Sequence, residues 1–192
     1  MKKDSCKITY AVSLHFTEDV SKTIMNTVQE IATIIGISFI LDNKIPPHIT
    51  IGAFHAAKGK ENQLLQLVDN FTKRQRAGQI TFSALGDFNK KVLFLKPDKN
   101  DFLTQLNSDI HKLLLPSFEK GENGYYLPDI WFPHTTLATR LSQIQFQKAL
   151  DIARKIRLPL KADINEIAVY QCSPFLDQSL PVYRELQKSC FQ

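Results

Sequence analysis

The segment Ile45–Phe54 (IPPHITIGAF) places a histidine between a pair of prolines and a run of residues typical of β-strands. Far along the chain, Phe132–Thr139 (FPHTTLAT) repeats this arrangement. In a strand, residues i and i+2 point to the same face. Each histidine therefore shares a face with the threonine two places after it, and the sequence predicts two imidazole–hydroxyl pairs.

The two segments share more than a His-x-Thr triplet. A proline precedes each histidine, and an aliphatic residue follows each threonine. A single triplet arises easily by chance in a chain with five histidines, but matched surroundings on two predicted strands favour a functional pair over two structural histidines. The predicted catalytic quartet is His48, Thr50, His134 and Thr136.

Hydrophobic periodicity predicts the same order of elements in each half of the chain: strand, helix, histidine-bearing strand, helix, strand. The predicted helices cover residues 17–35, 60–74, 100–115 and 142–156, and Ser142 is the predicted cap of the last. The predicted strands cover residues 7–16, 37–41 (ISFIL), 45–54, 79–88, 90–97, 130–139 and 158–172, with a last short strand near 179–187. No long Pro-, Gly- or Ser-rich linker separates the halves, so residues 1–192 are predicted to form one two-lobed domain.

Composition excludes several classes of function. The net charge of +5 favours an anionic partner such as a phosphate ester or short nucleic acid. The longest apolar run, IATIIGISFIL, is too short to span a bilayer, and the N-terminus carries no apolar leader, so a cytoplasmic protein is expected. The three cysteines are scattered without zinc spacing, and the phosphate-binding glycine motifs are absent from the sequence. We expect no metal and no cofactor.

Three other histidines compete for a role and are predicted to have none. His15 ends a strand and has no counterpart in the second half. His55 is predicted to lie on the opposite strand face from His48. His111 falls in a helix between Ile110 and Lys112 and is expected at the surface.

Two imidazoles and two hydroxyls that converge on one group suit a phosphodiester. Opening a cyclic phosphate needs a base to take a proton from water and an acid to protonate the leaving oxygen on the far side of phosphorus. An imidazole with a pKa near 6.5 can do either near neutral pH, and threonine hydroxyls can bind the non-bridging oxygens.

The paired segments PPHITIGAF and FPHTTLAT resemble the motifs of the two-histidine phosphoesterase superfamily, and within it the chain is most similar to the 2′-5′ RNA ligase-like, or RNA 2′,3′-cyclic phosphodiesterase, group. The resemblance covers nearly the whole chain, including the closing INEIAVYQCSPF…LPVYREL. It implies an α+β, two-lobed fold with pseudo-two-fold duplication, antiparallel sheets lining a central cleft and helices outside.

The resemblance also implies metal-independent hydrolysis of 2′,3′-cyclic phosphates to 2′-phosphates, with reversible 2′-5′ joining of RNA ends in some members. By analogy His134 is assigned as the base and His48 as the acid. The expected partners are RNA ends or small cyclic or 2′-5′-linked nucleotides, bound by a monomer. Two alternatives stay open: a phosphodiesterase of 2′-5′ oligoadenylates or cyclic oligonucleotides, and a non-catalytic RNA- or nucleotide-binding module.

Further residues are candidates for substrate binding. Many bacterial members carry an arginine five residues after the second histidine; here that position is Thr139, and Arg140 follows. On an unbroken strand Arg140 would share the face of His134 and could reach a phosphate, whereas a strand end would send it elsewhere. Aromatic residues near the second motif could stack a base or could pack the loop; the candidates carried forward are Tyr126, Trp131 and, on the family pattern, Tyr183.

Overall fold

The computed structural model describes residues 7–172 and 183–191 of the chain. Within that part, five α-helices surround strands of one antiparallel sheet, which confirms the predicted α+β class. The helices are α1 (Glu18–Ile35), α2 (Phe39–Asp42), α3 (Glu61–Thr72), α4 (Asp101–Leu114) and α5 (Gln143–Ala153). The strands are β1 (Lys7–Phe16), β2 (His48–Ala57), β3 (Gly78–Phe88), β4 (Val92–Pro97), β5 (Glu119–Lys120), β6 (Thr135–Ala138), β7 (Leu160–Cys172) and β8 (Tyr183–Cys190).

The long strand β7 joins the two halves into one sheet of order β5-β2-β1-β7-β3-β4-β6, with β8 paired to β7. The start of β7 pairs with β3, whereas the rest of β7 pairs with β1 and with β8. We call β5, β2, β1, the later part of β7 and β8 the first half-sheet, and the start of β7 with β3, β4 and β6 the second half-sheet. Each half-sheet contributes one histidine-bearing segment.

Strand β1 shows why the first half-sheet has one apolar and one polar face. Its alternate residues Tyr10, Val12, Leu14 and Phe16 belong to the hydrophobic core. The residues between them, which include Ser13 and His15, are directed to the opposite face by strand alternation. That polar face carries the first histidine motif.

The long helices bury the stripes that their spacing predicts. In α1 the buried residues Val20, Ile24, Val28 and Ile31 recur at helical spacing, and Gly36 ends the helix at a left-handed φ of 70°. Ser142 caps α5 in a capping box with Gln145, as predicted. No helix among residues 7–172 and 183–191 is both long and apolar enough to cross a membrane.

Two predicted strands differ from the structure. The segment ISFIL was predicted as a strand, but Phe39–Asp42 form the short helix α2, where the Ser38 hydroxyl donates a hydrogen bond to Asp42 at 2.6 Å. The strand predicted over residues 130–139 is limited to Thr135–Ala138. The residues before Thr135 form an irregular segment that carries His134.

Candidate active site

The backbone fixes both motif histidines in the same tautomer. The Nδ1 of His48 lies 2.7 Å from the carbonyl oxygen of Pro46, and the Nδ1 of His134 lies 2.8 Å from that of Phe132. A carbonyl oxygen only accepts hydrogen bonds, so Nδ1 carries the proton in both rings. Nε2 is then the basic nitrogen of each neutral imidazole, which is the arrangement that proton transfer at Nε2 requires.

Both histidines line one cavity of about 690 Å³. Helices α1 and α2, the segment before β2, the β3–β4 hairpin, the segment between β5 and β6, and β6 with the residue after it supply the rest of the described wall. The positive charges of the two imidazoles would repel each other across this space, since His134 lowers the pKa of His48. The fold therefore brings together the two rings that the sequence predicted would meet.

The two threonines of the motifs are placed differently. Thr136 lines the cavity beside His134. The Thr50 hydroxyl lies 3.3 Å from the Ser13 hydroxyl and also hydrogen-bonds the Tyr126 hydroxyl. Burial, with the neighbouring Glu122 carboxylate, raises the pKa of Tyr126 to about 12, so this phenol stays protonated. Tyr126, itself part of the wall, connects Thr50 to the cavity.

Burial keeps both catalytic candidates neutral in the free protein. It lowers the pKa of His48 from 6.5 to about 4, and the nearby His134 lowers it further. Burial also lowers the pKa of His134, while the hydrogen bond to the Phe132 carbonyl opposes the shift. An anionic phosphate between the rings would raise the pKa of either imidazole and favour its imidazolium form. The ring that serves as the acid would therefore be protonated more readily when substrate is bound.

A polar chain behind His48, buried at His15 and Tyr170, was not predicted from the sequence. His15 pairs with His48 across β1 and β2, and their ring centroids are 6.2 Å apart. The Nε2 of His15 lies 3.0 Å from the Tyr170 hydroxyl, which donates to Glu185 at 3.0 Å. His15 is only 3% exposed, and burial lowers its pKa to about 3. The spacing of residues along one strand does not show which residues pair across two strands. Only the register of β1 against β2 would have revealed that His15 lies beside His48.

The surroundings of His134 are apolar by contrast. Its ring centroid lies 5.0 Å from that of Phe88, edge to face, and 5.1 Å from that of Phe94. These two phenylalanines come from β3 and β4 of the second half-sheet. The duplicated backbone motif is thus set in two unlike environments, one polar and one aromatic.

Strand β6 ends at Ala138, so the unbroken strand needed to direct Arg140 toward a phosphate is absent. Arg140 has a left-handed φ of 61°, and its guanidinium stacks 3.9 Å from the ring centroid of Phe39. It does not belong to the cavity wall among the described residues, although Phe39 does.

The aromatic candidates combine loop packing with exposure to the cavity. Tyr126 and Trp131 both line it, and the Trp131 indole donates a hydrogen bond to the Thr50 carbonyl at 3.0 Å. Trp131 therefore ties the loop to β2, as well as presenting a ring to the cavity. Tyr183 begins β8, but its side chain lies outside the described part of the chain.

Two expectations about the other histidines were wrong. His111 was expected at the surface, but it is 3% exposed, donates through Nδ1 to the Asn107 carbonyl at 2.8 Å and packs on Phe54. His55 was expected on the face opposite to His48, but a bulge in the β1–β2 pairing reverses the alternation. His55 consequently pairs with Thr9 on the polar face, with 3.0 Å between its Nδ1 and the Thr9 hydroxyl. It does not line the cavity.

Comparison with known proteins agrees with this architecture. The family model of the 2′-5′ RNA ligase superfamily matches residues 23–173. Similar solved structures include E. coli LigT complexed with 3′-AMP (16% identity, TM-score 0.62, 96% of this chain and 98% of that one). The protein TT0787 of Thermus thermophilus is another (18% identity, TM-score 0.61, 95% and 97%). At these identities the likeness shows the fold. A comparison with curated protein sequences finds no match.

Proposed function

Because the chain belongs to the 2′-5′ RNA ligase superfamily, we propose that it is a phosphodiesterase that opens 2′,3′-cyclic phosphates of RNA or nucleotide ends by general acid–base catalysis without a metal. The observation that carries the proposal is the pair of imidazoles, each held through Nδ1 by a carbonyl two residues earlier, on the wall of one cavity. Phosphodiester cleavage needs two such groups on opposite sides of phosphorus.

In the proposed reaction, Nε2 of His134 takes a proton from water as the water oxygen forms a bond to phosphorus. The bond from phosphorus to the 3′ oxygen breaks, and Nε2–H of His48 gives its proton to that oxygen. The product is a 2′-phosphate with a free 3′ hydroxyl, and the two rings exchange protons with solvent to restore the starting state. With a 5′ hydroxyl in place of water, the same step in the same direction would join RNA ends by a 2′-5′ bond.

Thr136 is proposed to hold the phosphate while protons move, and Thr50, which is not among the described residues of the cavity wall, to support the site through Tyr126. Thr136 lines the cavity and can donate to a non-bridging oxygen. Thr50 lies against the Ser13 hydroxyl and hydrogen-bonds the Tyr126 hydroxyl, so its proposed part is to hold Tyr126 in position. Both hydroxyls stay neutral, so that of Thr136 donates a hydrogen bond to the phosphate and neither takes part in the proton transfers.

The test is turnover of adenosine 2′,3′-cyclic phosphate in EDTA, with the product identified as the 2′- or 3′-phosphate. Each of His48→Ala and His134→Ala is expected to lower kcat by roughly 10²–10⁴-fold, the contribution of one general acid or base. His55→Ala is the matched control, because His55 lies on the same sheet face but outside the cavity. Wild-type rates in both active-site variants, or no turnover of any cyclic or 2′-5′-linked substrate, would refute the proposal.

A further inference from the structure

His15 contacts the backbone of the first histidine motif as well as its ring. It pairs with His48 across β1 and β2, and the two ring centroids are 6.2 Å apart. The His15 ring also hydrogen-bonds the carbonyl oxygen of Pro47, the residue immediately before His48. His15 is 3% exposed, and Pro47 is buried. This contact therefore lies inside the protein, at the point where the chain enters β2.

The bonds of His15 define which of its nitrogens carries the proton. Burial, with the nearby His48 and Lys188, lowers the pKa of His15 to about 3, so the ring is neutral near pH 7 and has one N–H. A carbonyl only accepts hydrogen bonds, so this N–H faces Pro47. The other bonded nitrogen, Nε2, lies 3.0 Å from the Tyr170 hydroxyl. The donor to Pro47 is consequently Nδ1, and Nε2 accepts from Tyr170.

Tyr170 holds the His15 ring from the far side. Its hydroxyl oxygen lies 3.0 Å from Nε2 of His15 and 3.0 Å from the Glu185 carboxylate, so its one proton has two acceptors. Tyr170 is 2% exposed and belongs to β7, the strand that joins the two half-sheets. The His15 ring is therefore held between the first motif and the joining strand of the sheet.

Holding the Pro47 carbonyl fixes the direction in which the backbone enters His48. The peptide bond is planar, so the Pro47 carbonyl and the Cα atom of His48 move together. The same turn carries the Pro46 carbonyl, which lies 2.7 Å from Nδ1 of His48. A rotation of this peptide group would move the His48 ring away from its acceptor and shift its Nε2 within the cavity.

The second motif is held differently. The His134 ring packs against Phe88 and Phe94, with centroids 5.0 and 5.1 Å away. Phenylalanine rings carry no N–H or O–H, so these two residues cannot hold a backbone carbonyl as His15 does. Aromatic packing supports one ring of the pair, and a hydrogen-bonded histidine supports the other.

We propose, on the basis of the function proposed above, that His15 is a positioning residue for His48. Its Nδ1–H holds the Pro47 carbonyl, and Tyr170 holds the His15 ring in the tautomer that makes this bond. His15 itself takes no part in the proton transfers. It sets the direction from which Nε2 of His48 meets the leaving oxygen, so loss of its bond to Pro47 lowers kcat more than it raises KM.

Two substitutions at His15 separate its two hydrogen bonds. The side-chain amide of asparagine lies near the position of Nδ1, whereas that of glutamine reaches the position of Nε2. His15→Asn therefore keeps a donor for Pro47, and His15→Gln keeps only the contact with Tyr170. With adenosine 2′,3′-cyclic phosphate, His15→Gln is expected to lower kcat about 10- to 100-fold while KM changes less than about threefold. His15→Asn is expected to recover most of that loss.

His111→Leu is the matched control for removal of a buried histidine. His111 is also 3% exposed and donates through Nδ1 to a backbone carbonyl, but it lies on α4 and off the described cavity wall. Urea unfolding should show that this variant is destabilised, and its kcat should be unchanged. A loss of kcat below about fivefold in His15→Gln would overturn the inference. A kcat of His15→Asn no higher than that of His15→Gln would also overturn it.

The tautomer of His48 gives a readout that does not depend on turnover. Nitrogen NMR chemical shifts of the imidazole report which nitrogen carries the proton near pH 7. Wild type and His15→Asn are expected to show the Nδ1–H form of His48, and His15→Gln a mixture of both forms. The wild-type form retained in His15→Gln would overturn the inference at any level of activity. No turnover by wild type, with this mixture in His15→Gln, would refute the proposed function and leave the positioning of His48 by His15 in place.

Discussion

Mild acid should destabilise this protein well before its carboxylates titrate. His15 and His48 are held neutral in the folded state, with pKa values of about 3 and about 4 against 6.5 for an unperturbed ring. Below pH 6.5 the unfolded chain therefore binds more protons than the folded one, and the free energy of unfolding falls as the pH falls. The loss begins near pH 6.5 and continues to about pH 4 for His48 and about pH 3 for His15.

The magnitude follows from the pKa difference. Each pH unit below 6.5 costs about 1.36 kcal/mol for a ring that stays neutral when folded. At pH 5 the cost is about 2 kcal/mol for each ring, or about 4 kcal/mol for His15 and His48 together. Since domains of this kind are stable by about 5–15 kcal/mol, a large share of the stability is lost in this range.

Urea unfolding at pH 7 and pH 5 measures this loss directly. The wild-type free energy of unfolding should fall by at least about 4 kcal/mol, because the lowered pKa values of His134 and His111 add to the loss. That of His15→Gln should fall by about 2 kcal/mol less, each relative to its own value at pH 7. A constant m-value at both pH values shows that the same transition is compared. A wild-type loss below about 1 kcal/mol, or an equal loss in His15→Gln, would refute the reasoning.

Three further outcomes are expected. Asn107→Ala should destabilise by about 1–3 kcal/mol in thermal or urea unfolding, because the buried Asn107 amide donates to the carbonyls of Ile51 and Tyr126 at 2.7 and 2.9 Å; no change would contradict this. Tyr170→Phe should lower kcat, because it removes the hydroxyl that hydrogen-bonds His15, the neighbour of His48. Tyr10→Phe, on the core face, should leave kcat unchanged. Equal kcat values in the two variants would contradict a role for the polar chain of His15 and Tyr170. If the proposed roles are correct, the profile of kcat/KM against pH should peak below 6.5, because the pKa values of both His48 and His134 are lowered in the free protein. A maximum above 7 would contradict those shifts.

The sequence predicted the elements whose evidence is local. The amphipathic spacing of α1, the capping box of α5 and the hairpin between β3 and β4 all agree with the structure. The pairing of His48 with His134 in one cavity was predicted from repetition of a motif, which is a long-range inference from short-range patterns. In the structure both rings line one cavity, because β7 joins the two half-sheets that carry the motifs.

Failures of prediction have tertiary causes. ISFIL has the composition of a strand, but its residues are half-buried as α2 and supply Phe39 and Ile40 to the cavity wall. Apolar runs this short do not distinguish a strand from a buried helical turn. His111 was assigned to the surface from its charged neighbour, but its own side of α4 packs against β2. In both cases the elements against which the segment packs lie far away in the sequence, so local patterns do not reveal them.

The bulge in β2 shows a third limit. Ile49 and Ile51 belong to the core before the bulge, and Phe54 and Ala56 belong to it afterwards. One extra residue therefore reverses the inward and outward positions along the rest of the strand. Simple alternation predicted correctly that Thr50 shares the face of His48, because no bulge lies between these two residues. It failed for His55, because the bulge lies between His48 and His55.

The proline before each histidine has a physical explanation in the structure. Each Nδ1–H reaches back across a proline to the carbonyl of the residue before it. Proline fixes its own φ near −65°, and it restricts the preceding residue to extended conformations. Both effects limit the directions in which that carbonyl can point, so the acceptor is in place before the ring binds it. His48 is the first residue of β2 and His134 stands immediately before β6, so in both motifs the accepting carbonyl lies just outside the strand. The two halves therefore share a backbone device that sets the tautomer. The neighbours that influence the pKa of each ring differ. His15 lies beside His48, whereas Phe88 and Phe94 lie beside His134.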